Sequence, residues 1–123
     1  MAARPKVTPP RRGEVYLVRL DPTTGHEIKK TRPAVVVQND FSNRTSPTTV
    51  VAPVTSRSRV QIYPTEVLVH APEGGLTVDS LILFRQLRAV DRTRLVRRMG
   101  TLRPATMAAL DRALMITLRL IEL

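Results

Sequence analysis

The apolar positions of this chain change their period once. From Gly13 to Leu102 they come in short runs that alternate or fill completely, and after Pro104 they recur at spacings of three and four. Glu14-Val15-Tyr16-Leu17-Val18-Arg19-Leu20 is rich in β-branched and aromatic residues and predicts a strand. Asp21-Pro22-Thr23-Thr24-Gly25 ends it with turn chemistry, and a polar loop runs on to Thr31. Arg32-Pro33 leads into Ala34-Val35-Val36-Val37, apolar on both faces as a buried strand requires. Residues 39–47 read as a loop, 48–55 as a valine-rich strand, 56–63 as a polar, basic loop, and 65–69 as a short strand. After Gly74-Gly75, residues 80–84 and 88–90 form one bent strand or two short ones. Asp91 caps a single helical turn, and Arg98 to Leu102 makes a last strand. Short strands between turns point to a small barrel.

The C-terminal segment reads differently. Pro104 suits the first turn of a helix, and Met107, Leu110, Leu114, Leu118 and Ile121 fall on one face. Ala109, Ile116, Leu120 and Leu123 widen the apolar arc beyond the ~100° stripe of a surface helix. Two readings stand: a helix sunk in its own core, or one shared with a second subunit. Residues 1–12, proline-rich and basic without apolar pattern, read as a flexible tail, leaving a single domain over 13–123.

Composition narrows the function. One domain is expected of 123 residues, and the absence of cysteine removes disulfide and thiolate chemistry. The first residues lack the apolar run of a secretory signal and no stretch is long enough for a membrane span, so the expectation is a cytoplasmic protein. The net charge of +10, carried mostly by arginine, predicts attraction to polyanions. Tyr16, Tyr63, Phe41 and Phe84 are the whole aromatic complement, too few for the platform of the commonest RNA-binding modules.

Four segments in order carry a family resemblance. Arg12-Gly13-Glu14-Val15-Tyr16 runs through Leu20-Asp21-Pro22-Thr23-Thr24-Gly25-His26-Glu27 to Arg32-Pro33-Ala34-Val35-Val36-Val37. Val50-Val51-Ala52-Pro53-Val54-Thr55 comes next, then Leu83-Phe84-Arg85-Gln86-Leu87-Arg88-Ala89-Val90-Asp91 with Arg94-Leu95 and Leu114. Gln38-Asn39-Asp40 with Asn43-Arg44-Thr45-Ser46-Pro47 is the fourth. Together they resemble the MazF/PemK toxins, the last segment the Gram-positive-type branch in particular. The resemblance implies a mostly β fold with a C-terminal α-helix, an SH3-like small β-barrel, and a homodimer. It also implies metal-independent, sequence-specific cleavage of single-stranded mRNA to a 2′,3′-cyclic phosphate and a 5′-hydroxyl, with no cofactor, no action on DNA, and silencing by an acidic, MazE-like antitoxin. The family usually has Ser before the Glu of the first loop and Gln after it. Here His26 and Ile28 flank Glu27, a departure that bears on this loop's contacts, base selection included.

By that resemblance Arg32 occupies the catalytic Arg position and Thr55 the catalytic Thr. Glu27 matches an acid that serves as base or orients Arg32, with an ordinary exposed loop glutamate as the alternative. Arg32 would set fixed charge and a fork of donors beside the phosphate. Thr55 would hydrogen-bond a non-bridging oxygen, since the nucleophile, the ribose 2′-OH, belongs to the substrate. His26, in the same loop, is placed with the RNA contacts, and its imidazole could shuttle a proton in competition with Glu27. Neither histidine nor any carboxylate pair has metal-ligand spacing, so no metal is expected. Gln86 and Arg88 are assigned to RNA contact, with Gln86 suited to reading a free base edge. Tyr63 could stack a base. Asn43 is placed with the RNA contacts or shapes its own loop. The arginines at 92, 94, 97 and 98 read as a solvated basic face. A gyrase-poisoning toxin on the same fold relies on a Trp-containing tail, and this chain has no Trp. A non-catalytic RNA-binding barrel is the other alternative, opposed by Arg32 and Thr55 in their family contexts.

Overall fold

In the computed structural model, residues 8–27 and 30–123 are described. Seven strands make one antiparallel sheet: β1 (Glu14–Arg19), β2 (Thr31–Val36), β3 (Thr48–Ser56), β4 (Glu66–Val69), β5 (Ser80–Leu83), β6 (Arg88–Asp91) and β7 (Leu95–Thr101). Hydrogen bonding runs β4-β5-β3-β2-β1-β7, with β6 also on β3, so the sheet curls in barrel-like fashion while its ladder stays open between β4 and β7. Among the described residues, no helix is long and apolar enough to cross a membrane.

β3 organises the sheet. Its first half pairs with β6 (Thr49 opposite Val90), its last three residues pair with β5 (Val54 opposite Ile82), and its other edge pairs with β2 (Ala34 opposite Pro53). Pro53 stands where β3 changes partner from β6 to β5. A proline has no N–H for a ladder, so a central strand tolerates it best where one neighbour is missing. β5 and β6 part there, joined by a 3-10 turn at Phe84–Gln86, and the sheet splits open beside Pro53.

The sheet buries both faces. Val15, Val35, Ala52, Val54, Ile82 and Phe84 pack beneath α2 (Pro104–Thr117) against Leu110 and Ala113. Val18, Leu20, Ala34, Val36, Val51 and Val90 form a second, smaller cluster on the other face. Gly100 of β7 touches the Gly74-Gly75 turn backbone to backbone. A Cβ at Gly100 would lie 2.6 Å from the Gly74 carbonyl carbon, so only glycine fits that crossing.

Four expectations need correction. The segment 39–47 is not a plain loop. It holds α1 (Asp40–Thr45), capped by the Asn39 side chain accepting from the Ser42 N–H at 2.8 Å. The helix expected to reach Leu123 ends at Thr117, because Arg119 turns left-handed (φ 55°) while the Leu120 N–H returns to the Met115 carbonyl at 2.7 Å. Leu118, Leu120 and Leu123 are therefore exposed beyond the helix rather than part of its apolar arc. The fold also begins before Gly13. Pro10 is buried, and Arg12 donates to the Val37 carbonyl at 2.9 Å and pairs with Asp111 of α2 at 2.6 Å. Residues 1–7 of the expected tail lie outside the described residues. Finally, β7 starts at Leu95, three residues earlier than its apolar pattern indicates.

Candidate active site

The split between β5 and β6 becomes a groove of about 600 Å³. Pro53 and Leu83 supply apolar wall, and Arg85, Gln86, Leu87 and Arg88 follow the 3-10 turn around it. The loop between β1 and β2 brings His26 and Glu27 to the same groove, and Arg59, Thr65 and Glu66 complete its lining.

That loop is held at its root. The Leu20 N–H donates to the Lys30 carbonyl at 3.0 Å, and Arg88 Nη1 donates to the Leu20 carbonyl at 2.9 Å. Arg94 donates to the carbonyls of Arg19 and Asp21. Further out, Glu27 returns to Thr24 twice: its N–H donates to the Thr24 carbonyl at 3.2 Å, and its carboxylate accepts from the Thr24 hydroxyl at 3.3 Å. His26 and Glu27 are both exposed.

Strand register sets the catalytic candidates. Arg32 of β2 lies opposite Val18 of β1, and Thr55 of β3 lies opposite Leu81 of β5. The β2–β3 ladder pairs Ala34 with Pro53, and continuing it two residues puts Arg32 opposite Thr55. Because side chains alternate along a strand, Arg32 shares its sheet face with Ala34, and Thr55 shares the same face with Pro53. Both are half-buried. Arg88, opposite Val51, belongs to that face too. The sheet therefore aligns Arg32, Thr55 and Arg88 on the face whose Pro53 forms groove wall.

The family is settled by sequence. Residues 11–118 match the model of the PemK-like, MazF-like toxins of type II toxin–antitoxin systems. The chain belongs to this family. It is 40% identical over 112 residues to "Endoribonuclease EndoA" of Bacillus subtilis (strain 168), covering 91% of this chain and 97% of that protein. The crystal structure of MazF (Form-I) from Deinococcus radiodurans superposes with a TM-score of 0.77 at 27% identity, covering 92% of this chain and 99% of the other. The MazE-MazF (Form-I) crystal structure from Deinococcus radiodurans gives 0.69 at 25%, covering 92% and 99%.

Within this MazF-like fold, His26, Glu27, Gln86 and Arg88 meet on one groove; Arg32 and Thr55 do not line it, and strand alternation puts them on the sheet face that Pro53 shares. Asn43 does not join them. It is fully buried behind α1, where its Oδ1 accepts from Thr49 Oγ1 (2.7 Å) and Gln38 Nε2 (3.0 Å) while its Nδ2 donates to the Gln38 carbonyl (2.9 Å). Its hydrogen-bonding capacity is spent inside the protein, so the RNA-contact assignment is corrected to the loop-shaping one. Tyr63 is exposed, with the Arg59 guanidinium 4.5 Å above its ring centroid. The basic face is also smaller than it reads, because Arg94 braces the loop root and Arg98 pairs with Glu14 at 2.7 Å.

Arg59 and Arg85 are groove residues that the sequence pattern did not single out. Arg59 grips Glu66 with both ends of its fork, and this hydrogen bonding, followed by the opposing cost of burial, sets Glu66 below the usual carboxylate range. The two residues are seven apart across a Tyr-Pro step, a spacing that belongs to no regular element, so only the folded loop reveals the pair. Among the described residues no three His, Asp or Glu side chains gather as metal ligands.

Proposed function

We propose that this protein is an endoribonuclease toxin that cuts single-stranded mRNA within the groove and is silenced by an antitoxin. The observation that carries the reading is the meeting of Glu27, Gln86 and Arg88 on one groove beside the Arg32–Thr55 face, in a member of this toxin family. The likeness to EndoA supports RNA as substrate, and the MazE-MazF structure supports a protein antitoxin.

The chemistry follows from what RNA offers. The ribose 2′-oxygen attacks phosphorus and loses its proton to Glu27, with His26 as the competing acceptor. As the new P–O bond forms, charge builds on the non-bridging oxygens, where Arg32 supplies fixed positive charge and Thr55 a hydroxyl donor. The bond to the 5′-oxygen breaks, that oxygen takes up a proton, and a 2′,3′-cyclic phosphate and a 5′-hydroxyl remain. DNA has no 2′-OH and is no substrate. Gln86 reads a base edge and Arg88 adds phosphate attraction. No step calls for a metal. The active species is a cytoplasmic homodimer, and a disordered acidic antitoxin tail folds along the basic groove.

Purified protein incubated with a long RNA in excess EDTA should still cleave, and its products should resist ligation until the cyclic phosphate is opened. Arg32→Ala and Thr55→Ala should each lose activity by about a hundredfold or more while staying folded. Near-normal cleavage by Arg32→Ala would refute its role, and a collapse of rate in His26→Ala with Glu27→Gln unaffected would move proton transfer to the histidine.

A further inference from the structure

One arginine of the groove lining, Arg59, is not arranged to bind phosphate. Arg59 Nη1 donates to Glu66 Oε1 at 2.8 Å and to the Gln61 carbonyl at 2.5 Å, and Nη2 donates to the other oxygen of the same carboxylate. Its charge is thus neutralised in place, and these three hydrogen bonds engage both Nη1 hydrogens and one on Nη2. The Glu66 side chain is 9% exposed and also accepts the Tyr63 N–H at 3.0 Å, so the carboxylate braces both the guanidinium and the ring beneath it. Tyr63 covers one face of the guanidinium, and Arg59, with 35% of its side chain exposed, lines the groove. What is left for a ligand is a flat, delocalised, rigidly held surface.

We propose that the open face of the Arg59 guanidinium, backed by Tyr63, is the stacking platform for one unpaired nucleobase of the RNA substrate. The proposal rests on the endoribonuclease reading and adds a specific contact to it. A weakly hydrated planar cation stacks well on a base, and a fork already engaged cannot be drawn off to a phosphate. The assignment also changes the role of Tyr63, which supports the platform from behind instead of receiving the base. Because Glu27 and Gln86 line the same groove, the stacked base is a near neighbour of the bond that is cut.

The test uses single-stranded RNA oligonucleotides with a 2′-deoxy sugar at the bond that end mapping identifies, each carrying one abasic sugar at a different position. Wild-type protein should lose about tenfold in affinity at one position, the scale of removing a single base stack. Arg59→Lys keeps the charge and a partner for Glu66 but has no plane. It should bind the intact RNA about tenfold more weakly and show no further loss when that one base is missing. The double variant Arg59→Met with Glu66→Gln, which leaves no unpaired carboxylate behind, should do the same. Wild-type affinity in both variants, or unchanged sensitivity to every abasic position, overturns the platform. Wild-type protein that cleaves a long RNA while the abasic series stays flat loses the platform alone; protein that neither cleaves nor binds RNA loses both the platform and the reading beneath it.

Discussion

The two faces of the central sheet are built from the same strands and serve opposite ends. Under α2, Val15, Val35, Ala52 and Val54 meet Phe84 and Leu110 in an apolar layer. On the other face Val18, Ala34, Val36 and Val51 begin the same way, but toward the split in the sheet the alternation continues into Arg32, Thr55 and Arg88. The difference teaches how a small fold can set polar side chains on a sheet without giving up its core. Arg32 stands two residues before the run Ala34-Val35-Val36, whose burial on both faces fixes the strand that carries it. A one-residue slip would swap the faces, turning the arginine toward the layer under α2 and taking Val35 out of it.

That contrast can be broken from either side. Phe84→Ala, on the purely apolar side, should cost about 3–5 kcal/mol, a large share of a small domain's stability, and show as a drop in the urea midpoint. Arg32→Ala, on the mixed side, should shift the same midpoint by at most about 1 kcal/mol while losing RNA cleavage by about a hundredfold. Comparable loss of stability in both variants would mean that the second face is core, with no separate role.

The sequence made the apolar side easy to read and the mixed side hard, for physical reasons. Strands at 14–19, 48–56 and 66–69 announce themselves because burial on a pleated surface leaves β-branched runs between turns. The start of α2 is legible because Pro104 fits a first helical turn, whereas its end is not, because Arg119 adopts the left-handed cap that glycine usually signals. α1 escaped notice since Asp40–Thr45 has no apolar period. It is held by the Asn39 cap and by the buried Asn43. Family motifs point to single candidate residues, but not to how those residues sit relative to one another. That Arg32 and Thr55 share a sheet face depends on the β2–β3 register through Ala34–Pro53, Val35–Ala52 and Val36–Val51, and the Arg59–Glu66 grip depends on how one loop closes.

Asn43 sharpens the comparison, being a buried polar group that lies outside the groove. Asn43→Ala should leave the Thr49 hydroxyl and the Gln38 carbonyl without their partner, at a cost of about 1–3 kcal/mol. RNA affinity, measured on an uncleavable oligonucleotide at a temperature where the variant is folded, should equal that of the wild type. A selective loss of affinity without loss of stability would return Asn43 to the groove.

The smallest effect is expected at Glu66, where the groove's own wall couples to pH. Hydrogen bonding by Arg59, then burial working against it, then the Tyr63 N–H leave the folded carboxyl titrating below its ordinary 4.5. A carboxylate with a depressed folded pKa adds stability that is complete above the unfolded value and fades as pH falls through the folded one. Glu66→Gln keeps the shape and loses the charge, so its deficit against wild type should be full near neutrality and close in acid. Asp40, Asp79 and Asp91 are depressed as well, by hydrogen bonds from the Arg12 N–H, the His70 ring and the Thr93 N–H respectively, and their stabilising contributions also fade in acid. The difference between wild type and Glu66→Gln cancels their contribution to first order. Urea midpoints taken across pH 4.5 for both proteins check this. A gap that stays constant into acid would show that Glu66 works through packing and neutral hydrogen bonds, and that the Arg59 charge is not what the carboxylate holds in place.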